Sequence, residues 1–465
     1  MAVSCKRTAG IVIRIAMLMM SAIPVLAQKN PVYSLADLVD SASRHLPVLL
    51  QKRALVSSAE AGITEARHAF LPKVNVVEEL SIGTDNDLSG TFLPMAGLMH
   101  NISGGVTAAN NYQPATSNIA SVYGEYELVN FGLRGAKVNN AKAFAGLSKA
   151  DLSKELYLVK WQIGKVYFEI LKSRSQLTVD EEDIRRYQSM YTISVALTRT
   201  GINAGVDSSL AKAGLSQTRV KYNQAMGTLL RLQQQLAFLT GIDSPQIRLD
   251  TSWHTWEEPV LDGIRGDSLN NPLADYYARQ QLQYRAEQEL IRKSYLPKII
   301  LGAGGWARGS SIQYSNDYKS LGEGMGYQRL NYTAGIGITY DLFNGVRKKD
   351  RLTVAGYQAD AADHALQQQV LSLRSEAIQA GETIKAALKN LAELPVQLQA
   401  ATDAYNQKLA QYKAGMINLV DLVNASFVLY QSQSAYIETL SDWYTASLDK
   451  AATTGNLDQF IQTLK

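Results

Sequence analysis

The stretch Leu152-Ser-Lys-Glu-Leu156-Tyr-Leu-Val159-Lys-Trp-Gln-Ile163-Gly-Lys-Val166-Tyr-Phe-Glu-Ile170 places apolar residues at intervals of 4, 3, 4, 3 and 4. That 3.5-residue period marks a helix packed along a coiled-coil seam. The phase carries on through Leu177, Ile184, Tyr187 and Tyr191, and no proline falls between Pro114 and Pro245. The pattern predicts one helix from Leu133 to Arg199, about 100 Å long at ~1.5 Å per residue. A turn at Gly201-Ile-Asn-Ala-Gly205 leads into a return helix whose seam holds Thr218, Tyr222, Ala225, Leu229, Leu232, Leu236 and Leu239.

Working outward, the chain repeats itself. Phe70-Leu-Pro72-Lys-Val74 is answered by Tyr295-Leu-Pro297-Lys-Ile299, and each follows another proline, Pro47 or Pro272, by 25 residues. Tyr126-Glu-Leu-Val-Asn130 with Gly132-Leu-Arg134 is answered by Tyr340-Asp-Leu-Phe-Asn344 with Gly345-Val-Arg347. Gly201, Asp207 and Ala211 recur with identical spacing as Gly415, Asp421 and Ala425. Landmarks in one order, twice, mean a duplicated fold. The expected division is a leader at residues 1–27, a first repeat at 28–240, a linker at 241–267, a second repeat at 268–452 and a tail at 453–465. Each repeat reads helix, Leu-Pro turn, strand, loop, strand, glycine turn, long helix, tight turn, return helix. The second long helix has an alanine-rich seam (Ala355, Ala359, Ala362, Ala377, Ala380, Ala387), which suggests close helix approach. Pro395 is expected to interrupt and kink it. The tail is expected as a short helix or without structure.

Lys6, Arg7 and Arg14, the apolar run Ile15 to Ile23 and Val25-Leu26-Ala27 fit a secretory signal. Its removal leaves 43 basic against 42 acidic residues, a balance that gives no reason to expect nucleic acid. The only cysteine, Cys5, lies within the leader, so the exported chain carries no disulfide. No later run is apolar enough for a membrane helix, so a bilayer would have to be met as a β-barrel.

Four segments alternate with a period of two: residues 73–83, 118–128, 298–307 and 330–342. In the last, Leu330, Tyr332, Ala334, Ile336, Ile338, Tyr340 and Leu342 alternate with small and polar residues, as in a barrel strand with lipid outside and water inside. In the first, Glu78 disturbs the apolar face of Val74, Val76, Leu80 and Ile82. The loops at 83–117 and 308–329 belong at the outer face, which sends the helices into the periplasm. Four strands cannot close a barrel, and open edges are costly in lipid. Three copies would give twelve strands, with the helices continuing the wall below. The expected fold is therefore mainly α with a transmembrane β part.

The paired Leu-Pro turns, Gly-[Leu/Val]-Arg helix starts and Gly-x5-Asp tips resemble the TolC-type outer-membrane efflux family, over nearly all of the mature chain. The resemblance implies a homotrimeric exit duct in the outer membrane of a Gram-negative bacterium. It would receive small molecules from an inner-membrane transporter through a periplasmic adaptor, the membrane fusion protein. It further implies a periplasmic gate at Asp207, Tyr412, Asp421 and Asn424, and adaptor docking at the tips carrying Gly201, Gly205 and Gly415. Ile417 stands where the best-known member has a gating arginine, and Asn424 where it has a second ring acid, so closure would be held differently. The residues themselves fit two roles for Asp207 and Asp421: a ring of charge on a narrow axis or capping of the return helices. A duct for type I protein secretion and a periplasmic coiled-coil scaffold outside the membrane are the alternatives.

Enzyme chemistry finds no foothold. His45, His68, His100, His254 and His364 lack metal-ligand spacing. Gly302, Gly304 and Gly305 lie in a strand with no glycine-opened helix after them. Glu181-Glu182-Asp183 reads as a solvated helix face. No cofactor and no metal are expected.

Overall fold

The computed structural model describes residues 32–86, 108–200, 205–243, 247–249 and 270–464. The leader, most of the 241–267 linker, much of the 83–117 loop, Gly201, His100 and His254 lie outside the described residues. In chain order the elements are β1 (Val32–Tyr33), α1 (Leu35–His45), α2 (Pro47–His68), β2 (Lys73–Gly83), β3 (Ala115–Val129), α3 (Leu133–Arg199) and α4 (Gly205–Thr240). Then follow β4 (Arg248–Leu249), α5 (Pro272–Ser294), β5 (Lys298–Ser310), β6 (Ile312–Gln313), β7 (Asp317–Tyr318), β8 (Arg329–Thr339), α6 (Asn344–Lys413), α7 (Leu419–Thr453) and α8 (Leu457–Thr463). They fall into a helical unit (residues 1–53, 150–276 and 366–465) and a sheet-bearing unit (54–149 and 277–365).

In the helical unit the seam becomes a core. Val159, Ile163, Val166 and Ile170 of α3 are buried with Leu229, Leu236 and Leu239 of α4. Tyr167, Phe168 and Leu171 are buried as well, so α3 is covered on more than one face. Phe168 stacks on Tyr444 of α7, centroids 5.4 Å apart, and the Tyr157 hydroxyl donates to the Ala452 carbonyl at 2.6 Å. In the part of α6 that belongs to this unit, Ala380 and Ala387 are buried as the alanine seam requires. The tail is core rather than fringe: α8 buries Leu457, Phe460 and Ile461. The linker contributes β4, which pairs in parallel with β1.

Several boundaries differ from the sequence reading, β3 and β5 being longer than the 118–128 and 298–307 read from alternation. The one helix read before the first Leu-Pro turn is two helices, α1 and α2, because Pro47 opens α2. Proline fits a first helical turn, where its missing N–H would have had no partner; Pro272 opens α5 in the same way. Ser34 caps α1 in a capping box with Asp37. Helix α6 runs through Pro395 without interruption, keeping 70 residues in one helix. One missing ladder bond in so long a packed helix is outweighed by its neighbours. The last strand ends at Thr339, since the Asp341 carboxylate accepts from the Phe343 N–H at 2.9 Å and starts a turn into α6.

Candidate functional site: sheet faces and hairpin tips

In the sheet-bearing unit, β2, β3, β5 and β8 form one antiparallel sheet in the order β2-β3-β5-β8. The register sets Val74, Val76, Leu80 and Ile82 on one face with Val122, Tyr126, Leu301, Ala303, Tyr332, Ala334, Ile336 and Ile338. This face is apolar and largely exposed. The opposite face carries Asn75, Ser81, Ser117, Ser121, Glu125, Asn331, Thr333 and Thr339. The segregation is what period-two alternation dictates once the register is set.

Glu78, the carboxylate out of place on the apolar face, is answered by the loop before β8. The Tyr327 hydroxyl donates to it, 2.8 and 2.9 Å from its two oxygens. That loop is not an open excursion. It contains the β6–β7 ribbon and two 3₁₀ turns, and Asn118 donates to the Met325 carbonyl at 2.8 Å. A side chain on Gly309 would meet the Gly326 backbone, so the glycine is what lets the loop lie this close.

Each strand pair joins its helices through the repeated motifs. Pro72 and Pro297 stand between helix end and strand start, with Leu71 donating to His68 (3.0 Å) and Leu296 to Lys293 (3.2 Å). Proline there stops the helix and hands over extended backbone. On the return side, Phe131 and Gly132 take left-handed backbone, φ 46° and 90°, before α3.

At the hairpin tips, α6 ends in a Schellman motif. Gly415 has φ 71°, its N–H donates to the Tyr412 carbonyl at 3.0 Å, and the Met416 N–H donates to Gln411 at 3.0 Å. Asn418 then caps α7, accepting from the Asp421 N–H at 3.0 Å. Asp421 and Asp207 both sit in first turns, of α7 and α4, where the helix dipole favours a carboxylate. The cap on α7 is Asn418, so Asp421 is not the capping residue there. Asn424 is exposed and Gly205 opens α4.

Tyr412 lies elsewhere: it is 0 % exposed, inside an apolar cluster with Met190, Ala211, Tyr405, Leu419 and Leu422, against which Ile417 packs. Its ring holds the tip together from within.

In the acidic run Glu181 is exposed as expected, but Asp183 departs from a solvated place. Asp183 is 4 % exposed, and Asp180 is equally deep. Arg186 donates to Asp183 at 3.1 Å and to Gln433 of α7 at 3.2 Å, while Gln433 donates to Glu182 at 2.8 Å. Tyr430 and Gln176 both reach Asp180, at 3.0 and 2.9 Å. Burial pushes the Asp183 carboxyl above its ordinary range despite Arg186, and pushes the Tyr430 hydroxyl up to about 12. The signal was present in the spacing: Asp180, Asp183, Tyr187, Met190 and Ser194 follow at intervals of 3, 4, 3 and 4, a second stripe beside the Leu177, Ile184 and Tyr191 seam, with acids in two of its positions. Among the described residues no group of three His, Cys, Asp or Glu gathers as a metal site, and His45, His68 and His364 are exposed. No described helix is long and apolar enough to cross a membrane.

The sequence matches the family described as outer membrane efflux protein over residues 38–242 and 270–456, most of both repeats. The chain belongs to the outer membrane efflux protein family. It is 23% identical over 320 residues to the cobalt-zinc-cadmium resistance protein CzcC of Cupriavidus metallidurans, covering 68% of this chain and 72% of that one. It is 24% identical over 351 residues to the probable efflux pump outer membrane protein TtgC of Pseudomonas putida, covering 71% and 68%. The fold is that of the outer membrane protein VceC from Vibrio cholerae (TM-score 0.73, 15% identity, 90% and 96% of the two chains). The Campylobacter jejuni CmeC outer membrane channel is equally similar (TM-score 0.72, 15% identity, 94% and 90%). As an outer membrane efflux protein the chain is an exit channel of the outer membrane, with its helices in the periplasm.

Proposed function

We propose that three copies of this chain close a twelve-stranded barrel in the outer membrane and continue it as a helical duct. An inner-membrane transporter would pass small molecules into that duct through a periplasmic adaptor docked at the tips around residues 200–208 and 414–421. The observation that carries the proposal is the unfinished sheet. β2 and β8 are its edges, and the apolar face is largely exposed along both. In lipid, unpaired edge groups cost several kcal/mol each, roughly, so the edges must pair. All neighbours are antiparallel, so β2 and β8 run in opposite directions and β8 of one copy can pair with β2 of the next. Two copies would give an eight-stranded barrel, whose interior side chains fill; three is the smallest number that leaves a lumen. Asp207 and Asp421 would ring its periplasmic end. Relatives named for efflux pumps support the pump and adaptor partnership. Electron microscopy of detergent-extracted particles from the outer-membrane fraction tests it. Three-fold particles with a long stem are expected; a water-soluble monomer would overturn it.

A further inference from the structure

The polar face of the sheet holds a groove of about 640 Å³. Its floor is nearly free of side chains, because Gly302, Gly304, Gly335 and Gly337 stand at neighbouring positions on β5 and β8. One wall is aromatic, with Tyr123 and Trp306. A side chain at Gly304 would strike Tyr123, whereas at Gly302, Gly335 and Gly337 it would meet nothing within 4 Å. Those three glycines therefore leave a space that packing does not require to be empty.

One pleat beyond Trp306 on the same face, Arg308 is the register partner of Arg329. Like charges directly opposite one another on antiparallel strands destabilise the pair. Among the described residues neither guanidinium meets a carboxylate, and Arg329 donates to the Gln328 carbonyl next to it, at 3.0 Å. The nearest acid in that row is Glu79, paired with Ile119 and so two strands from Arg308, about 10 Å away at ~4.8 Å per strand. Towards the inner end the same face is balanced, with Lys298 bonded to Glu127 at 3.1 Å and Lys73 opposite Glu125. Uncompensated positive charge thus sits at one end of an aromatic-walled groove.

We propose that the outer end of this groove is a lumenal binding site for amphiphilic aromatic anions, with the ring lying against Trp306. The acidic group, a sulfonate or carboxylate, lies between Arg308 and Arg329, which offer planar forks matched to such oxygens. The distance of one pleat, about 7 Å along the strand, suits a fused ring bearing one anionic group. Its position inside the channel rests on the barrel reading above. A weak site near the outer end would draw such molecules forward while still releasing them, as conduction requires.

Single-channel recording of the purified full chain in planar bilayers tests this, with 1-naphthalenesulfonate as the probe. Methanesulfonate and 1-naphthylmethylammonium serve as the ring-free and cationic controls. The wild-type current is expected to be blocked by the naphthalenesulfonate at concentrations about tenfold below either control, the difference a charge-assisted pair supplies. Arg308→Gln with Arg329→Gln should abolish that preference, and Arg308→Lys with Arg329→Lys should keep most of it. Trp306→Ala, which removes the aromatic wall, should weaken the block by the naphthalenesulfonate while leaving the preference for small anions unchanged. Removing opposed like charges does not endanger folding. Normal conductance with equal block in the wild type and the double glutamine variant would overturn the site while leaving the duct intact. Absence of any conductance would remove the duct itself, and the lumenal site with it.

Discussion

Asp183 and Arg186 are the residues whose chemistry most constrains the helical unit. The side chain of Arg186 is 10% exposed, and Asp183 is its close carboxylate partner at 3.1 Å. Removing one member of a buried ion pair leaves the other desolvated without compensation, at a cost of about 3–5 kcal/mol. Asp183→Ala is therefore expected to lower the guanidinium midpoint markedly, and an unchanged midpoint would show that the pair is solvated. The pH dependence has a definite sign. Because burial raises the Asp183 carboxyl above its unfolded value, the fold holds a proton that the unfolded chain has released. Stability then falls as pH rises from the ordinary carboxylate value through the raised one. Asp151 behaves oppositely. Burial works against its charge, but hydrogen bonds from Lys52 and Lys154 hold its carboxyl below the ordinary range. Its contribution is present above the unfolded value and is lost as pH falls through the lowered one. Lys52 is raised by the same bond, so its share persists below its unfolded value and is lost only as pH rises through the raised one. At the tip, Asp421→Ala is expected to weaken block of single-channel current by divalent cations several-fold, since a ring of carboxylates concentrates cations on its axis. Equal block in both proteins would leave Asp421 as a first-turn acid favoured by its helix dipole alone.

At the scale of elements, close approach of α3 and α7 depends on one missing side chain. A methyl at Gly164 would lie 2.8 and 2.9 Å from the two terminal methyls of the buried Leu448. Alanine is the better helix former by about 1 kcal/mol, yet overpacking costs roughly 1–3 kcal/mol in a close-packed core. Gly164→Ala should therefore destabilise on balance, and Leu448→Ala should lose its usual cost in the Gly164→Ala background. A double-mutant cycle in denaturant measures the coupling, expected at about 1 kcal/mol or more; simple addition would mean the helices yield without strain. The elements most legible beforehand were those written in periodicity and punctuation. The 3.5-residue seam gave α3 from Leu133 to Arg199, and alternation with Leu-Pro gave β2 from Lys73 to Gly83. What escaped was decided by tertiary neighbours. Asp183 reads with Glu181 and Glu182 as a solvated face because acids usually are solvated, but Arg186 pairs with it and α7 supplies Gln433, which bonds both Arg186 and Glu182. The burial of Tyr412 could not be read from its spacing, because it is α4 and α7 that bring Ala211, Leu419 and Leu422 around it. The tail carried no long period, yet three of its side chains complete an apolar surface made elsewhere.

For the whole molecule, the demand that no strand edge face lipid turns a property of one chain into a statement about its copies. The sheet presents β2 at one edge and β8 at the other, and its apolar face is continuous to both. Closure by three copies places Val76 or Val74 of one chain beside residues of β8 in the next, at a register that side-chain alternation restricts to the same face. The sequence after Cys5 contains no cysteine, so introduced pairs report without interference. Val76→Cys combined in turn with Tyr332→Cys, Ala334→Cys, Ile336→Cys and Ile338→Cys scans that register. Disulfides need Cβ atoms about 3.5–4.5 Å apart, so one combination, or two adjacent ones, should cross-link. On a denaturing gel without reductant those variants should yield covalent trimers, since each chain then bonds to both neighbours around a closed ring. The partners with Asn331→Cys and Thr333→Cys, on the other face, should stay monomeric. Covalent dimers as the terminal product would replace the three-fold ring with a pair. Cross-linking from the polar-face positions would mean that the face read as lipid-facing is the one turned inward.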